Sequence, residues 1–437
     1  MAEPQDGKMG IWMTTALVVG SIIGSGIFLL PVSLAPLGIN AILGWVVSGV
    51  GAFAIAYSLA RISRDGAGIQ AYIEESFGPT IGYLVTFSFW CSNWAACAAL
   101  AIATASAIAW LNPALQTTVF IVPAAVASVA VLALVNARGA RTAGGLCVLT
   151  VLVKILPLLA VILAAVLHGA TGNAPAGHSA MPLGLAGLGT AVALTLFALT
   201  GFENATAPVN KVRNPARTIP LALVGGTAFV ALLYLISSSS VLLLLNEHQI
   251  TGSTSPFADA IAQQWGNGAA ILAIAAIAVS AFGGLNGMIL GTGELAYSMA
   301  LRGDLPIVFA RTRGLNTPVA AQLLGAAFAI LLILANGARA TASLFTFVIL
   351  LSTASVIVLY FVGSLAAWTR SRQAERAIIL VALGFSLFAL WGTGAEAVGW
   401  GGVLLVVGYV LRIAMHRINS RVSTIPPLAA AQAAPRE

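Results

Sequence analysis

Charged residues are scarce in this sequence: they make up 8% of its 437 residues, about a third of the share that is usual in soluble domains. Cysteine is scarcer still, and the three residues, Cys91, Cys97 and Cys147, lie in apolar segments without a pairing pattern, so we expect buried thiols. The four histidines form no metal-ligand spacing. No phosphate-binding loop, nucleophile motif or paired-carboxylate motif appears, so the sequence does not indicate a metal, a cofactor, ATP-driven pumping or an enzyme.

Hydrophobic residues dominate what is present, at 59% of the chain with a mean hydropathy of +0.99. Apolar runs of about 20 residues, long enough to cross the hydrocarbon core of a bilayer as helix, recur from residue 10 to residue 418. Because unpaired peptide groups are costly in lipid, runs of this length indicate helices and not barrel strands. The sequence therefore predicts an all-α membrane protein with twelve transmembrane helices. The predicted spans are 10–36, 39–60, 80–110, 117–135, 146–167, 187–209, 219–245, 267–301, 319–335, 341–369, 376–392 and 399–418.

The net charge of +7 raises the question of a nucleic-acid partner, but the position of the cations argues against one. On the twelve-helix map, all lysines and arginines fall on one side except Arg339, on the other side, and Lys154, inside a span. This is the positive-inside pattern of a protein in the cytoplasmic membrane, with both termini in the cytoplasm. Residues 1–9 are then a cytoplasmic N-terminus, 419–437 a disordered cytoplasmic tail, and the lipid bilayer the main partner.

Two predicted spans are interrupted by small and polar residues near their midpoints. Span one carries Gly24-Ser25-Gly26, and span six carries Thr200-Gly201 followed by Glu203. Interrupted spans at matching places in two halves of a chain are typical of inverted-repeat transporters, whose binding site lies at the breaks. The first repeat would be 10–168 and the second 187–369, with the last two helices, 376–418, added outside.

A broken helix frees peptide groups that must find partners other than lipid. The half-helix that begins near Gly26 directs N–H groups and a positive dipole end at the break, which suits a carboxylate. The carbonyl groups of Ile22 and of residues 197–200 suit an ammonium group. Close packing through small residues is the alternative interpretation of the glycines. Glu203 favours a binding site, because packing does not require a carboxylate.

Three ionisable residues, Glu203, Lys154 and Glu294, fall well inside predicted spans, where a charge is costly and usually marks a function, and a fourth, Glu396, lies near the end of one. Glu203 lies at the break and would bind a substrate amine or carry a proton; its alternative role is to cap freed N–H groups. The Lys154 side chain would either extend to the cytoplasmic surface or keep its ammonium group inside the membrane, between the helices of the site. Glu294 would pair with Lys154 or line the inner vestibule, and Glu396, near an outer end, would be a solvated loop residue.

Several motifs along nearly the whole chain resemble one known family, the amino acid–polyamine–organocation superfamily. Within it they resemble the basic amino acid/polyamine antiporters, which exchange arginine for agmatine, lysine for cadaverine, or ornithine for putrescine. The motifs are GSGIFLLP (24–31), FGP (77–79), GFENA (201–205), NPAR (214–217), SPF (255–257), PIVFAR (306–311) and TPV (317–319).

The resemblance implies a LeuT-like five-plus-five inverted repeat that works by alternating access. It implies that Ser25 and Gly26 hold a substrate carboxylate and that the carbonyl groups of Ile22, Phe197 and Thr200 hold its α-amino group. Lys154 would occupy the place where sodium-coupled relatives bind a sodium ion, so transport would not need sodium. The full set of implied substrate-binding residues is Ile22, Gly24, Ser25, Gly26, Phe89, Asn93, Cys97, Phe197, Ala198, Thr200, Phe202, Glu203, Met288 and Ser355.

The chain departs from the arginine/agmatine antiporter at three of these positions. Phe197 and Met288 stand where that protein has tryptophans, and Cys97 stands where it has an asparagine. Aromatic faces that attract a guanidinium are therefore reduced. Exchange of a cationic amino acid or polyamine is the first prediction, and proton-coupled or exchange transport of neutral amino acids is the alternative. A sensor on the same fold would share these features, whereas a channel would need a continuous polar pore; whether the chain forms a homodimer stays open.

Overall fold

The computed structural model describes residues 10–24, 26–62, 68–137, 143–171, 181–203, 212–312 and 317–422. Within these ranges the regular secondary structure is helical, and no strand is present. The helices are α1 (Ile11–Ile22), α2 (Gly26–Leu34), α3 (Ile39–Ile62), α4 (Gly68–Phe77), α5 (Pro79–Ala109), α6 (Thr118–Ala137), α7 (Ala143–Ala170), α8 (Leu185–Leu199), α9 (Pro215–Leu244), α10 (Glu247–Thr251), α11 (Pro256–Leu301), α12 (Val319–Ala335), α13 (Thr341–Thr369), α14 (Gln373–Gly392) and α15 (Gly394–Val422).

Most of these helices have the length and the apolar composition of membrane spans. In the described ranges nine helices meet both criteria, and the pair α1 and α2, bent by 46°, makes a tenth. The apolar helices α8 and α12 are shorter, with 15 and 17 residues. The all-helical membrane architecture is thus as predicted. The count of twelve is reached if the bent pair and the two shorter helices are each one span, and it stays a prediction.

Two predicted boundaries differ from the structure by much more than the others, and both for identifiable reasons. Helix α8 ends at Leu199, although the span was predicted to run to residue 209, because the chain leaves helical geometry at Thr200; residues 204–209 lie outside the described ranges. Helix α11 begins at Pro256 and not at residue 267, because Gly266, with φ 78° and ψ 175°, joins a short helix to the predicted span. The left-handed φ is one that glycine adopts without strain. We call this short helix the outer helix, after the side on which the twelve-helix prediction places it.

The short outer helix, 256–265, connects two other parts of the fold. Phe257 is fully buried, and its ring packs edge-on against Phe28 of α2 with centroids 5.3 Å apart. Asp259 accepts a hydrogen bond from the indole Nε1 of Trp110, which follows the end of α5, at 2.7 Å. This segment therefore contacts both α2 and the end of α5.

Ion pairs join loops and helix ends in two groups that match the predicted alternation of sides. The pairs Arg61–Glu375, Arg302–Glu74, Arg370–Glu75 and Arg412–Asp304 join segments predicted on the cation-rich side. Arg339 pairs with Glu396, and both were predicted on the opposite side. Glu396 lies in the first turn of α15 and is exposed, in place of the loop position predicted for it. Which side faces the cytoplasm is still a prediction.

Helix α5 lies at the centre of the bundle: 94% of the residues in its apolar 18-residue stretch are buried. Hydroxyl contacts tie it to α13: Ser352 donates to the carbonyl of Ser92 at 2.9 Å, and Ser88 donates to the carbonyl of Ser355 at 2.8 Å. In the corresponding apolar stretches of helices α14 and α15, only 28% and 17% of the residues are buried. These two helices therefore lie at the periphery of the bundle, as α6 and α7 also do. The division into two repeats and two added helices stays a prediction.

Candidate functional site

The first predicted span is interrupted where the glycine-rich motif lies. Helix α1 ends at Ile22, and Ile23 has extended geometry with ψ 92°. Helix α2 begins at Gly26, and the two helices meet at 46°. Ser25, predicted to hold a carboxylate, lies outside the described residues. The first N–H groups of α2 have no acceptor within their own helix and point toward the break.

Span six is interrupted after Leu199, the last residue of α8. Thr200 is extended, with φ −68° and ψ 159°, and both its hydroxyl and its N–H group donate to the carbonyl oxygen of Phe197, at 2.7 and 3.1 Å. Gly201 follows with φ 114°, a left-handed conformation that other residues rarely adopt. The chain thus turns sharply away from the helix axis at this point.

The two interruptions are in contact with each other. A Cβ atom placed on Gly201 would lie 2.5 Å from the carbonyl oxygen of Ser21, in the last turn of α1. A Cβ atom placed on Gly26 would lie 2.8 Å from Cε1 of the Phe197 ring. Only glycine permits these approaches, so the glycines bring the end of α1 and the start of α2 directly against the end of α8.

Two side chains from other helices bind the last turn of α1. Lys154 of α7 donates from Nζ to the carbonyl oxygen of Gly20 at 3.0 Å, and it is only 3% exposed. Tyr234 of α9 donates from its hydroxyl to the carbonyl oxygen of Ile22 at 3.3 Å. Lys154 therefore points into the bundle and does not extend to the cytoplasmic surface. The carbonyl group of Ile22, predicted to meet a substrate amine, has a hydroxyl partner here.

Glu203 lies just after the break in span six and is 6% exposed. The N–H group of Gly201 donates to both carboxylate oxygens, at 3.1 and 3.0 Å, and the hydroxyl of Tyr360 donates to Oε2 at 2.9 Å. The capping contact that the sequence offered as an alternative role is therefore present. A carboxylate accepts several hydrogen bonds at once, so capping and the binding of an amine are compatible.

Helices α5 and α11 form the neighbouring wall. The thiol of Cys97, 1% exposed, lies 3.8 Å from the hydroxyl oxygen of Thr292, which in turn donates to the carbonyl of Met288 at 2.7 Å. Gly24 faces the same side of α5, because a Cβ atom placed there would lie 3.4 Å from Cδ2 of Leu100. Cys97 is one turn from Leu100 on α5, so we place both beside the break in span one.

The remaining predicted residues have other neighbours. Asn93 is buried and donates from Nδ2 to the carbonyl of Phe89, a half-buried residue of the same helix, at 3.1 Å. Phe202 is fully buried and stacks on Tyr360 with ring centroids 5.4 Å apart. Ser355, 2% exposed, lies in the contact of α13 with α5 through its carbonyl group.

Ala198 is 6% exposed and lies beside Phe197 at the end of α8. Glu294 is an exposed residue of α11, and in the described part of the chain it makes no ion pair with Lys154. Of the two alternatives predicted for Glu294, the structure therefore lacks the pair. Among the described residues there is also no cluster of acidic, histidine or cysteine side chains that would hold a metal ion.

Three residues at the site were not identified from the sequence: Tyr234, Tyr360 and Thr292. The two tyrosines are fully buried in apolar spans, and a buried tyrosine hydroxyl usually has a hydrogen-bond partner. Tyrosine in the middle of a span was therefore a signal that could have been used. The threonine has no such signal, because threonine in a membrane helix commonly bonds its own backbone.

Most of the described residues at the breaks are buried in this structure, although Gly24 and Thr200 are partly exposed, and we call this arrangement closed. Two surface grooves lie elsewhere. Phe197, Ala198 and Glu203 are each at most 6% exposed. A groove of about 420 Å³ lies between the start of α6 and the loop before α13, and one of about 560 Å³ lies between α8 and the α14–α15 turn. Neither groove is lined by a predicted site residue, so the breaks, with their convergent polar groups, remain the candidate site.

Comparison with known proteins finds a family match over nearly the whole chain. Residues 9–419 match the family described as amino acid permease. The chain is 27% identical over 432 residues to the putrescine transporter PotE of Escherichia coli K12, an alignment that covers 94% of this chain and 97% of that protein. It is 25% identical over 426 residues to PotE of Haemophilus influenzae, covering 92% and 96%. It is 29% identical over 355 residues to the cadaverine/lysine antiporter of Escherichia coli K12, covering 77% of each chain.

Proposed function

The chain belongs to the amino acid permease family, and from that premise we propose that it is a secondary active antiporter of amino acids and their amine or polyamine derivatives across the cytoplasmic membrane. The similarity to the polyamine and lysine transporters confirms the resemblance to the basic amino acid/polyamine antiporter branch and identifies a transporter, not an enzyme. The observation that carries the proposal is the contact between the two broken spans, Gly201 against Ser21 and Phe197 against Gly26.

The site offers complementary groups to the two ends of an amino acid. The N-terminus of α2, at Gly26, would bind the carboxylate through free N–H groups and the helix dipole. The backbone carbonyl groups at the end of α8, from Phe197 to Thr200, would bind the α-amino group. Both contacts use backbone groups, which every substrate with an α-amino acid end could share.

Glu203 would bind or balance the second amine of a cationic substrate. It is the acidic residue of the break itself, and its carboxylate is held in place by Gly201 and Tyr360. Phe197, Met288 and Cys97 would line the remaining wall, which is suited to an aliphatic chain. Because Phe197 and Met288 stand where the arginine/agmatine antiporter has tryptophans, the cation–π attraction for a guanidinium is reduced. The lining would therefore favour diamines and lysine-like or ornithine-like amino acids.

Transport would not depend on sodium. The ammonium of Lys154 lies at the carboxyl end of α1, where it satisfies the Gly20 carbonyl and complements the negative end of the helix dipole. A fixed cation there would take the place of the sodium ion of coupled relatives of this fold. A bound sodium ion and the ammonium group would repel each other strongly in so buried a position.

Alternating access would proceed by movement of the broken spans relative to α5 and its neighbours. We also propose twelve spans, in two inverted repeats and two added helices, and both termini in the cytoplasm. The support is the two separate groups of ion pairs on the predicted sides. Pairing of two copies along the exposed faces of α14 and α15 is compatible with their position in the fold.

Exchange of neutral amino acids is the second candidate. Two observations favour it: the Glu203 carboxylate already accepts hydrogen bonds from Gly201 and Tyr360, and the positive Lys154 lies beside α1. In that case Glu203 would cap the break and take no part in substrate charge recognition.

Counterflow in proteoliposomes tests the proposal. The purified protein is reconstituted, and entry of labelled putrescine, lysine, ornithine or alanine is followed with and without internal substrate and with sodium replaced by choline. We expect saturable entry that requires internal substrate and does not change in choline. Counterflow of alanine alone would support the second candidate, and flux that neither saturates nor needs internal substrate would indicate a channel. A thermal-shift panel of the same solutes identifies those that bind the folded protein.

A further inference from the structure

Three hydroxyl groups on one face of α13 contact the two broken spans. Thr346, Thr353 and Tyr360 are spaced seven residues apart, which is close to two turns and therefore one stripe of the helix. The contacts are Ser33 Oγ to Thr346 Oγ1 at 2.7 Å, Thr353 Oγ1 to the carbonyl oxygen of Ala193 at 3.2 Å, and Tyr360 hydroxyl to Glu203 Oε2 at 2.9 Å. We call these three residues the hydroxyl stripe.

Each contact falls at a different part of the broken spans. Ser33 belongs to α2, the second half of span one, and Ala193 belongs to α8, the first half of span six. Glu203 lies beyond the break in span six. The stripe thus holds one half of each broken span and one of the two breaks.

The contact of Thr353 has a direct relation to the closed site. Ala193 precedes Phe197 by four residues, one turn of α8, and the ring of Phe197 lies against Gly26. The hydrogen bond from Thr353 therefore helps to hold the turn of α8 that carries Phe197, both in its position along the helix axis and in its rotation about that axis. The other side of α13 is fixed to α5 through Ser352 and Ser355.

From this arrangement we propose that the two threonines of the hydroxyl stripe position the broken spans against α13 and stabilise the closed arrangement of the site. Thr346 and Thr353 are positioning residues: opening of the site to either side requires that one or both of these hydrogen bonds be released. The proposal rests on the transport function proposed above. Hydrogen bonds between membrane helices are weak, so the loss of one shifts such an equilibrium about threefold.

A purely local role for these threonines is the competing explanation. Thr353 also donates to the carbonyl of Ile349 and Thr346 to that of Ala342, both at 2.8 Å, as threonine in a membrane helix commonly does. Thr104 of α5 provides the matched control, because it is fully buried and its hydroxyl donates to the carbonyl of Leu100 in its own helix at 2.7 Å.

The experiment compares Thr353→Val, Thr353→Ser and Thr104→Val, since valine keeps the shape of threonine and removes its hydroxyl. The reporter is the rate of alkylation of Cys97, 1% exposed here, in a Cys91→Ser, Cys147→Ser background. Counterflow measured with labelled substrate added on one side of the membrane or on the other supplies KM and kcat for each side. We expect Thr353→Val to raise the alkylation rate about threefold and to change the ratio of the two KM values, whereas Thr353→Ser and Thr104→Val resemble the parent.

Equal effects of Thr353→Val and Thr104→Val on alkylation, or no recovery with Thr353→Ser, would overturn the proposal. If Thr353→Val does not fold, Ser33→Ala removes the neighbouring contact with a smaller change and is judged by the same alkylation rate. Failure of the parent protein to show counterflow with any solute would refute the transport function, and the alkylation rates would still test the hydroxyl stripe.

Discussion

The ammonium group of Lys154 in α7 donates a hydrogen bond to the carbonyl oxygen of Gly20, in the last turn of α1, at 3.0 Å. The contact crosses from an unbroken helix to a broken one, and it places a positive charge where the α1 carbonyl groups accumulate negative potential. Lys154 is therefore part of the structure of the break as well as a charge within the membrane.

Replacement of Lys154 by Met should reduce the exchange rate by about tenfold or more, since loss of the ammonium leaves a buried carbonyl without its charged partner, at a cost of about 1.5–3 kcal/mol. Lysine-to-methionine substitution keeps most of the apolar volume. The measurement is counterflow in choline and in sodium media. A parent protein whose rate rises steeply with sodium at fixed osmolarity would refute the role assigned to this residue.

Replacement of Glu203 by Gln should abolish or uncouple exchange of a dibasic substrate while the protein stays folded. The amide keeps the shape of the carboxylate but carries no charge and cannot accept hydrogen bonds at its nitrogen. Counterflow of putrescine is measured as a function of pH, with Glu396→Gln, at an exposed outer residue, as the control. A Glu203→Gln variant with the rate and pH dependence of the parent would remove Glu203 from the mechanism.

Replacement of Gly201 by Ala should destabilise the protein by about 1–3 kcal/mol, because the residue has φ 114° and the added Cβ would lie 2.5 Å from the Ser21 carbonyl oxygen. Gly225 in α9 is the control, since it has open space around the same position. There alanine should be neutral or stabilise by up to about 1 kcal/mol. Thermal unfolding in detergent compares the two, and equal midpoints would contradict the close approach of the breaks.

Replacement of Met288 by Trp should increase selectivity for guanidinium substrates. An indole face on α11 attracts a guanidinium by about 0.5–2 kcal/mol, which corresponds to a gain of about two- to thirtyfold for agmatine or arginine relative to putrescine or lysine. Competition for labelled putrescine uptake measures the change. Met288→Leu is the control for the loss of methionine, and an unchanged inhibition series with Met288→Trp would place this residue away from the substrate.

Replacement of Arg412 by Leu should destabilise the protein by up to about 3–5 kcal/mol, because the buried Asp304 would lose its ion-pair partner at 2.7 Å and keep only the longer contact with Arg302, at 4.0 Å. Burial already raises the pKa of Asp304, and Arg412 opposes that shift. Without Arg412 the pKa rises further, so protonation at lower pH removes the poorly compensated charge and the deficit should shrink as pH falls. Thermal midpoints across pH measure this, and the double variant with Asp304→Leu should recover most of the loss.

The sequence predicted helix ends best where polar or helix-breaking residues lie directly before or after an apolar run. Helices α12 and α13 begin and end at the predicted residues, since Pro318 precedes the first and Arg370 follows the second. Helix α4 was not predicted, because a short helix with Glu74 and Glu75 has the composition of a loop.

The breaks at Gly201 and near Gly24 were predicted because glycine and polar residues in mid-membrane have a local physical consequence. The side chains that form hydrogen bonds with the breaks were not predicted as such partners. Tyr234, Tyr360 and Lys154 reach them from helices far along the chain, and those contacts depend on the rotation and depth of packed helices. For Lys154 the resemblance gave the location, but its acceptor, the Gly20 carbonyl, came only from the structure.

The outer helix, 256–265, spans the gap between a broken and an unbroken helix. Phe257 packs on Phe28 of α2, Asp259 is bonded to Trp110 after α5, and the chain bends at Gly266. A wider gap between α2 and α5 must therefore break one of these contacts or straighten the bend. If a solute enters through this gap, as the proposed function requires, the free energy of its entry depends partly on a segment outside the proposed substrate-binding residues. A nanobody that clamps this segment would then slow turnover with every substrate alike.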